Sequence, residues 1–150
     1  MTSTVRPILG DFMSTECFRY LRMGAEDIAG RALIVAAGKS RGHSLADVLK
    51  GLKPDEDAVI TAKLSGVLGA DGTRLCLVNQ IKQTELGYEV HITESACASG
   101  VVADAPICAF TLGVFIGAME VVTGKRIYGQ EVSCVGFGND ECFYNLEILV

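Results

Sequence analysis

Hydrophobic positions along the 150-residue chain follow two periods. In "DFMSTECFRYLRMGAEDIAG", from Asp11 to Gly30, the apolar residues Phe12, Met13, Cys17, Tyr20, Leu21 and Met23 have the spacing of an amphipathic helix. "AEDIAGRALIVAAGKSRG", rich in Ala and aliphatics, predicts a second helix with Gly42 near its end. "HSLADVLKGL" predicts a short third helix, with His43 or Ser44 near its start and Gly51 as a stop. "PDEDAVITAKLSGVLG" predicts a fourth. Proline is tolerated in a first helical turn, and carboxylates favour the positive end of the helix dipole.

The period then shortens. "TRLCLVNQIKQTELGYEVHITESACASG" alternates and carries a turn signal at Glu85-Leu86-Gly87, which predicts two antiparallel strands. "DAPICAFTLGVFIGAMEVVTG" predicts a helix over about 106–123, with Asp104 and Pro106 before it and Gly124 after it. "RIYGQEVSC" and "ECFYNLEILV", joined by the Gly-rich "VGFGND", predict a terminal β-hairpin. The expected class is α+β, with N-terminal helices packed on an antiparallel sheet and a helix plus terminal hairpin carrying a Cys-rich site.

Length and composition narrow the picture. Residues 1–150 are expected to form a single domain with a core large enough to need no staples. A net charge of −5, with no Lys/Arg run longer than two, argues against nucleic-acid binding. The longest uncharged run, Ala105 to Met119, is shorter than the roughly 20 residues of a membrane-spanning helix. "MTSTVRPILGDFMSTECF" has no apolar signal region, so the expected location is the cytoplasm. In that reducing compartment the six cysteines are not expected to form structural disulfides.

Three of those cysteines carry the candidate chemistry. Cys134 and Cys142 flank the turn of the predicted hairpin together with Glu131, and Cys108 falls in the first turn of the preceding helix. A hairpin brings two or three donors together, and a helix start can add a fourth, where the dipole favours thiolate. A tetrahedral metal site needs four such donors. The spacing lacks the CxxC pairs of a zinc ribbon, and buried cysteines also serve as small hydrophobes. Cys97 competes as a fourth ligand, whereas Cys17 and Cys76 lie on apolar faces and read as core.

The stretch Pro106-Ile-Cys108, Gly113, Gly117, Glu120, Gly124, Glu131-x-x-Cys134, Gly136, Gly138 and Cys142-x-Tyr144 resembles the C-terminal signature of the 4-vinyl reductase domain family. "RPILGDFMSTECFRYLRMG" is similar to the N-terminus of its hydrocarbon-binding members. The family shares its fold with subunits of the TRAPP tethering complex and with the sensor domains of phenol-responsive activators. In those sensors a Cys, a Glu-x-x-Cys and a further Cys hold zinc. Position by position, the resemblance places these ligands at Cys108, Glu131, Cys134 and Cys142. Four such ligands leave no open position, which implies a structural ion.

The resemblance also implies a small hydrophobic ligand, aromatic or tetrapyrrole-like. Phe110, Leu112, Phe115, Ile116 and Met119 would give apolar walls, and Gly113 and Gly117 would allow the close approach of a ligand or of another helix. The chain contains no dinucleotide-binding, P-loop or flavin fingerprint, so a binding or accessory role is expected over a reductase. His91 is expected to face solvent, and "KSRGHS" forms a modest basic patch. The first two helices carry more apolar surface than a small sheet can cover, which predicts a homodimer. A scaffold like the tethering subunits is the alternative, and signalling would pass through a protein partner.

Overall fold

The computed structural model describes residues 6–97, 107–133 and 141–150. Helix α1 spans Thr15–Ala29, α2 Arg31–His43, α3 Asp57–Leu68 and α4 Ala109–Thr123. The strands are β1 Leu77–Gln83, β2 Gly87–Thr93, β3 Ile127–Ser133 and β4 Cys142–Ile148. They form one antiparallel sheet in the order β1-β2-β4-β3. Helix α4 therefore carries the chain from an interior strand to the far edge, and β4 returns between them. This is the α+β class that the hydrophobic pattern predicts.

Alternation sets the core face of the sheet. Tyr88, Val90 and Ile92 of β2 point inward beside Cys142, Tyr144 and Leu146 of β4, all at most 2% exposed. Ile60, Leu64 and Leu68, spaced for one face of α3, meet this surface near β1, while α4 covers it near β3. The side chain of Asp57 accepts a hydrogen bond from the Gln83 amide at 2.8 Å, fixing the start of α3 to the end of β1. Helix α2 then packs on the back of α4, and α1 packs against α2. Helix α4 is thus enclosed on both sides, which explains why its sequence is apolar all round.

Two local expectations change. Residues 44–52, read as a third helix, form hydrogen-bonded turns that extend the end of α2; Leu45, Ala46 and Leu49 bond back to Gly42, His43 and Leu45. Gly51, with φ of 81°, closes the segment after too few residues for a separate helix. The second change is Cys17, expected in the core but exposed, whereas the apolar stripe of α1 faces outward as the surplus of apolar surface on the first helices implies. Arg22 is buried, while Tyr20, Leu21 and Met23 are exposed. Cys76 is buried as expected. Helix α4 begins at Ala109, and the expected start signals Asp104 and Pro106 lie outside the described residues.

Candidate metal centre and ligand groove

Sheet register builds the candidate metal centre. Cys142 opens β4, and Glu131 on neighbouring β3 faces inward just before an irregularity in the pairing with β4, between Glu131 and Ser133. Such a bulge lets a strand re-aim one side chain without losing the ladder. Cys108 caps α4, and its backbone N–H donates to both carboxylate oxygens of Glu131, at 3.1 and 3.0 Å. Cys108 Sγ lies 3.6 Å from Cys142 Sγ. Ligand atoms of Cys108, Glu131 and Cys142 all lie within 4.8 Å of one another, and all three residues are buried, so the cluster could hold a metal ion. Cys134, the remaining ligand implied by the resemblance, lies outside the described residues.

Polar neighbours surround this cluster, among them Arg31, Ser95 and Thr111, which sequence spacing did not indicate. Arg31, at the start of α2, donates to Glu131 Oε1 at 2.8 Å and neutralises a carboxylate whose side chain is 1% exposed. Cys108 Sγ donates to Ser95 Oγ at 3.4 Å. Cys97 is not grouped with the metal-ligating atoms but sits beside them, with its sulfur 3.1 Å from Thr111 Oγ1. Hydrogen bonds from Cys108 and Thr111 bring the Cys97 thiol down from 9.0 to about 7 against the opposing effect of burial, and the nearby Arg22 guanidinium contributes a smaller pull. Burial, with a further contribution from the nearby Cys97 and Cys142, pushes Cys76 up to about 12. The hydroxyl of Tyr144 is buried against the same cluster with no hydrogen-bond partner among the described residues. Burial, then the charge of Cys108, raise it well above the ordinary tyrosine value.

The expected ligand-binding residues of α4 are distributed over four environments. Phe115 and Met119 point into the sheet core. Gly113 and Gly117 meet Gly38 and Gly42 of α2, and a Cβ at any of the four would lie closer than 3.0 Å to the facing backbone. The close approach these glycines permit is therefore that of a helix. The matching pair in "GKSRG" is the sequence signal that reveals it. Leu112 and Ile116 border a groove of about 630 Å³ with Val35, Ile127 and Tyr128, where Arg31 and Lys39 also lie.

Phe110 reaches a different groove, of about 650 Å³, between the N-terminal segment, α1, α4 and the approach to β1. Phe12, Met13, Phe18, Leu75 and Ala96 supply the rest of its apolar wall. Phe18 and Phe110 meet edge to face, with centroids 5.7 Å apart. Phe110 is two residues beyond Cys108, and Ala96 immediately precedes Cys97. The cluster of Cys108, Glu131 and Cys142 and this wall consequently share the same short segments of chain.

His91 pairs with acids on the outer face of the sheet. Its Nδ1 lies 2.7 Å from Glu141 and its Nε2 3.7 Å from Glu89, and its ring packs on Phe143 at 4.7 Å. His43 of the basic patch lies 2.8 Å from Glu120. Among the described residues no helix is long and apolar enough to cross a membrane.

No family model matches the chain. An uncharacterized protein of Methanocaldococcus jannaschii is 34% identical over 44 residues, 29% of this chain and 24% of that relative, so the match spans about a quarter of its length. Solved structures match far more widely. The phenol-responsive sensory domain of the transcription activator PoxR, crystallised with phenol, superimposes with a TM-score of 0.68 at 20% identity, over 92% of this chain and 76% of that one. A vinyl-4-reductase family protein from Methanocaldococcus jannaschii gives 0.64 at 14% identity, over 95% and 85%. A trafficking protein particle complex subunit 3 from Naegleria fowleri, covalently bound to palmitic acid, gives 0.59 at 13% identity, over 91% and 95%. In fold, the chain is of the vinyl-4-reductase type, as its sequence resemblance implies.

Proposed function

We propose that residues 1–150 form one non-catalytic domain that binds a small hydrophobic molecule and carries a structural zinc ion. The observation that carries this reading is the apolar groove of about 650 Å³ walled by Phe12, Phe18, Leu75 and Phe110. Its size lies within the roughly 300–1,000 Å³ usual for small-molecule sites, and its lining is mainly apolar, as such sites require. The phenol bound by one structural relative and the palmitic acid bound by another support the same reading.

Zinc fits the donor set. Two thiolates on one tetrahedral zinc stand about 3.8 Å apart, close to the 3.6 Å between Cys108 and Cys142. Glu131 would supply a carboxylate oxygen, and Cys134 would complete the set. Zinc with three thiolates and a carboxylate carries a net charge of about −2. Arg31 on Glu131 offsets part of that charge. When bound, the ion supplies a cross-link between the terminal hairpin and the head of α4, and so holds the Phe110 wall in place.

The scaffold reading draws on a separate observation. Tyr20, Leu21, Ile28 and Leu33 lie on α1 and α2 or the adjoining turn, each at least 60% exposed. An apolar surface of this kind fits a homodimer interface and can coexist with the groove. The test of ligand binding is to denature the purified protein and analyse the organic fraction it releases. Wild type is expected to release an apolar molecule, and a folded Phe110→Lys variant should release none. Empty fractions from both would contradict the binding reading and leave the scaffold.

A further inference from the structure

The two large grooves differ in how their cations are used. In the groove over β3, Arg31 is paired with Glu131 at 2.8 Å and Lys39 with Glu120 at 3.5 Å. In the groove beside Phe110, the cations are Arg41 and Arg74. Arg41 donates to the Ser44 hydroxyl at 3.0 Å, and the Arg74 guanidinium lies over the Phe12 ring at 5.5 Å. Neither forms an ion pair among the described residues. One carboxylate, that of Asp11, also lines this groove, so two guanidiniums face a single acid.

The backbone supports the position of Arg74. Its φ of 61° is left-handed, a region uncommon for residues other than glycine, asparagine and aspartate. Its amide bonds to the Gly69 carbonyl at 3.1 Å, which helps hold that conformation. Arg41 lies on α2 and Arg74 in the turn before β1, so two separate elements present guanidiniums to one apolar space. Guanidinium is the side chain best matched to a planar carboxylate, because its donors form a rigid fork.

We propose that the groove is selective for hydrophobic anions, an apolar body against Phe18 and Phe110 with a carboxylate received by Arg41 and Arg74. This rests on the hydrophobic-binding reading and adds the charge of the ligand. The test is calorimetric titration of the full chain with two probes of one apolar body, phenylbutyrate and phenylbutanol. Phenylbutyrate is expected to bind about tenfold more tightly, the worth of one charge-assisted hydrogen bond. That advantage should shrink as salt is added. It should vanish in the Arg41→Gln/Arg74→Gln double variant, which is expected to bind the two probes about equally. Equal binding of the two probes, or tighter binding of the alcohol, would overturn the anion inference and leave hydrophobic binding intact. An advantage that survives in the folded double variant would overturn the assignment to these arginines. Binding of neither probe would overturn both readings. The salt titration needs no variant and decides the matter if the double variant does not fold.

Discussion

Glu131 is the residue on which the site turns. Its carboxylate is almost wholly enclosed, receives Arg31 from α2 and the Cys108 amide from the head of α4, and belongs to an edge strand. Three elements therefore depend on one negative charge. Glu131→Gln keeps the shape and removes the charge. It is expected to cost about 2 kcal/mol of unfolding free energy, within the range for hydrogen bonds to charged groups. The check is urea unfolding of metal-stripped protein, which separates this loss from any loss of metal. Cys108, Glu131 and Cys142 were named in the sequence through the family resemblance, whereas their spacing alone left buried thiols as an equal reading; the structure brings the three together. Arg31, Ser95 and Thr111 were not legible, because their places beside Cys108 and Cys97 depend on how helices and loops distant in sequence pack.

At the scale of elements, the pairing of α2 with α4 organises the molecule. Gly38 and Gly42 face Gly113 and Gly117, and the two backbones meet where side chains would otherwise intervene. Gly117→Ala is expected to destabilise the protein by about 1–3 kcal/mol through overpacking. Gly66→Ala, in α3 with open space around it, is expected to stabilise by up to about 1 kcal/mol. Thermal unfolding of both variants checks the contrast, and equal effects would contradict the packing account.

Glu120 ties the same pair to the sheet. It meets Lys39 and His43 of α2 and accepts from the Ile127 amide of β3 at 3.0 Å. Burial alone would raise its carboxyl, but the Ile127 amide, His43 and Lys39 bring it below the ordinary value of 4.5. A depressed carboxyl contributes stability that is complete above pH 4.5 and is lost as pH falls through its lower folded value. The stability difference between wild type and Glu120→Gln should therefore narrow below that pH. Denaturant midpoints measured across the acid range check this. Long, strongly patterned elements were legible because period alone defines them. The 44–52 turns and the exposed position of Cys17 were not. A stripe shows that one face is apolar without showing what covers it.

At the scale of the whole molecule, the metal cluster, the groove and the exposed helical surface form a connected arrangement. Cys108 and Phe110 are two residues apart at the head of α4, and Phe18 on the inner side of α1 touches Phe110, while Tyr20 and Leu21 face outward. An ion at the cluster would stiffen the groove wall, and the groove would share α1 with a dimer contact. The central claim is that this chain is a zinc-pinned binding domain, and its most direct test is native mass spectrometry of protein purified without chelator or affinity metal resin. The account predicts a dimer with one zinc per chain and an added organic mass, and loss of the zinc in a Cys142→Ser variant. A metal-free species with no added mass would contradict it.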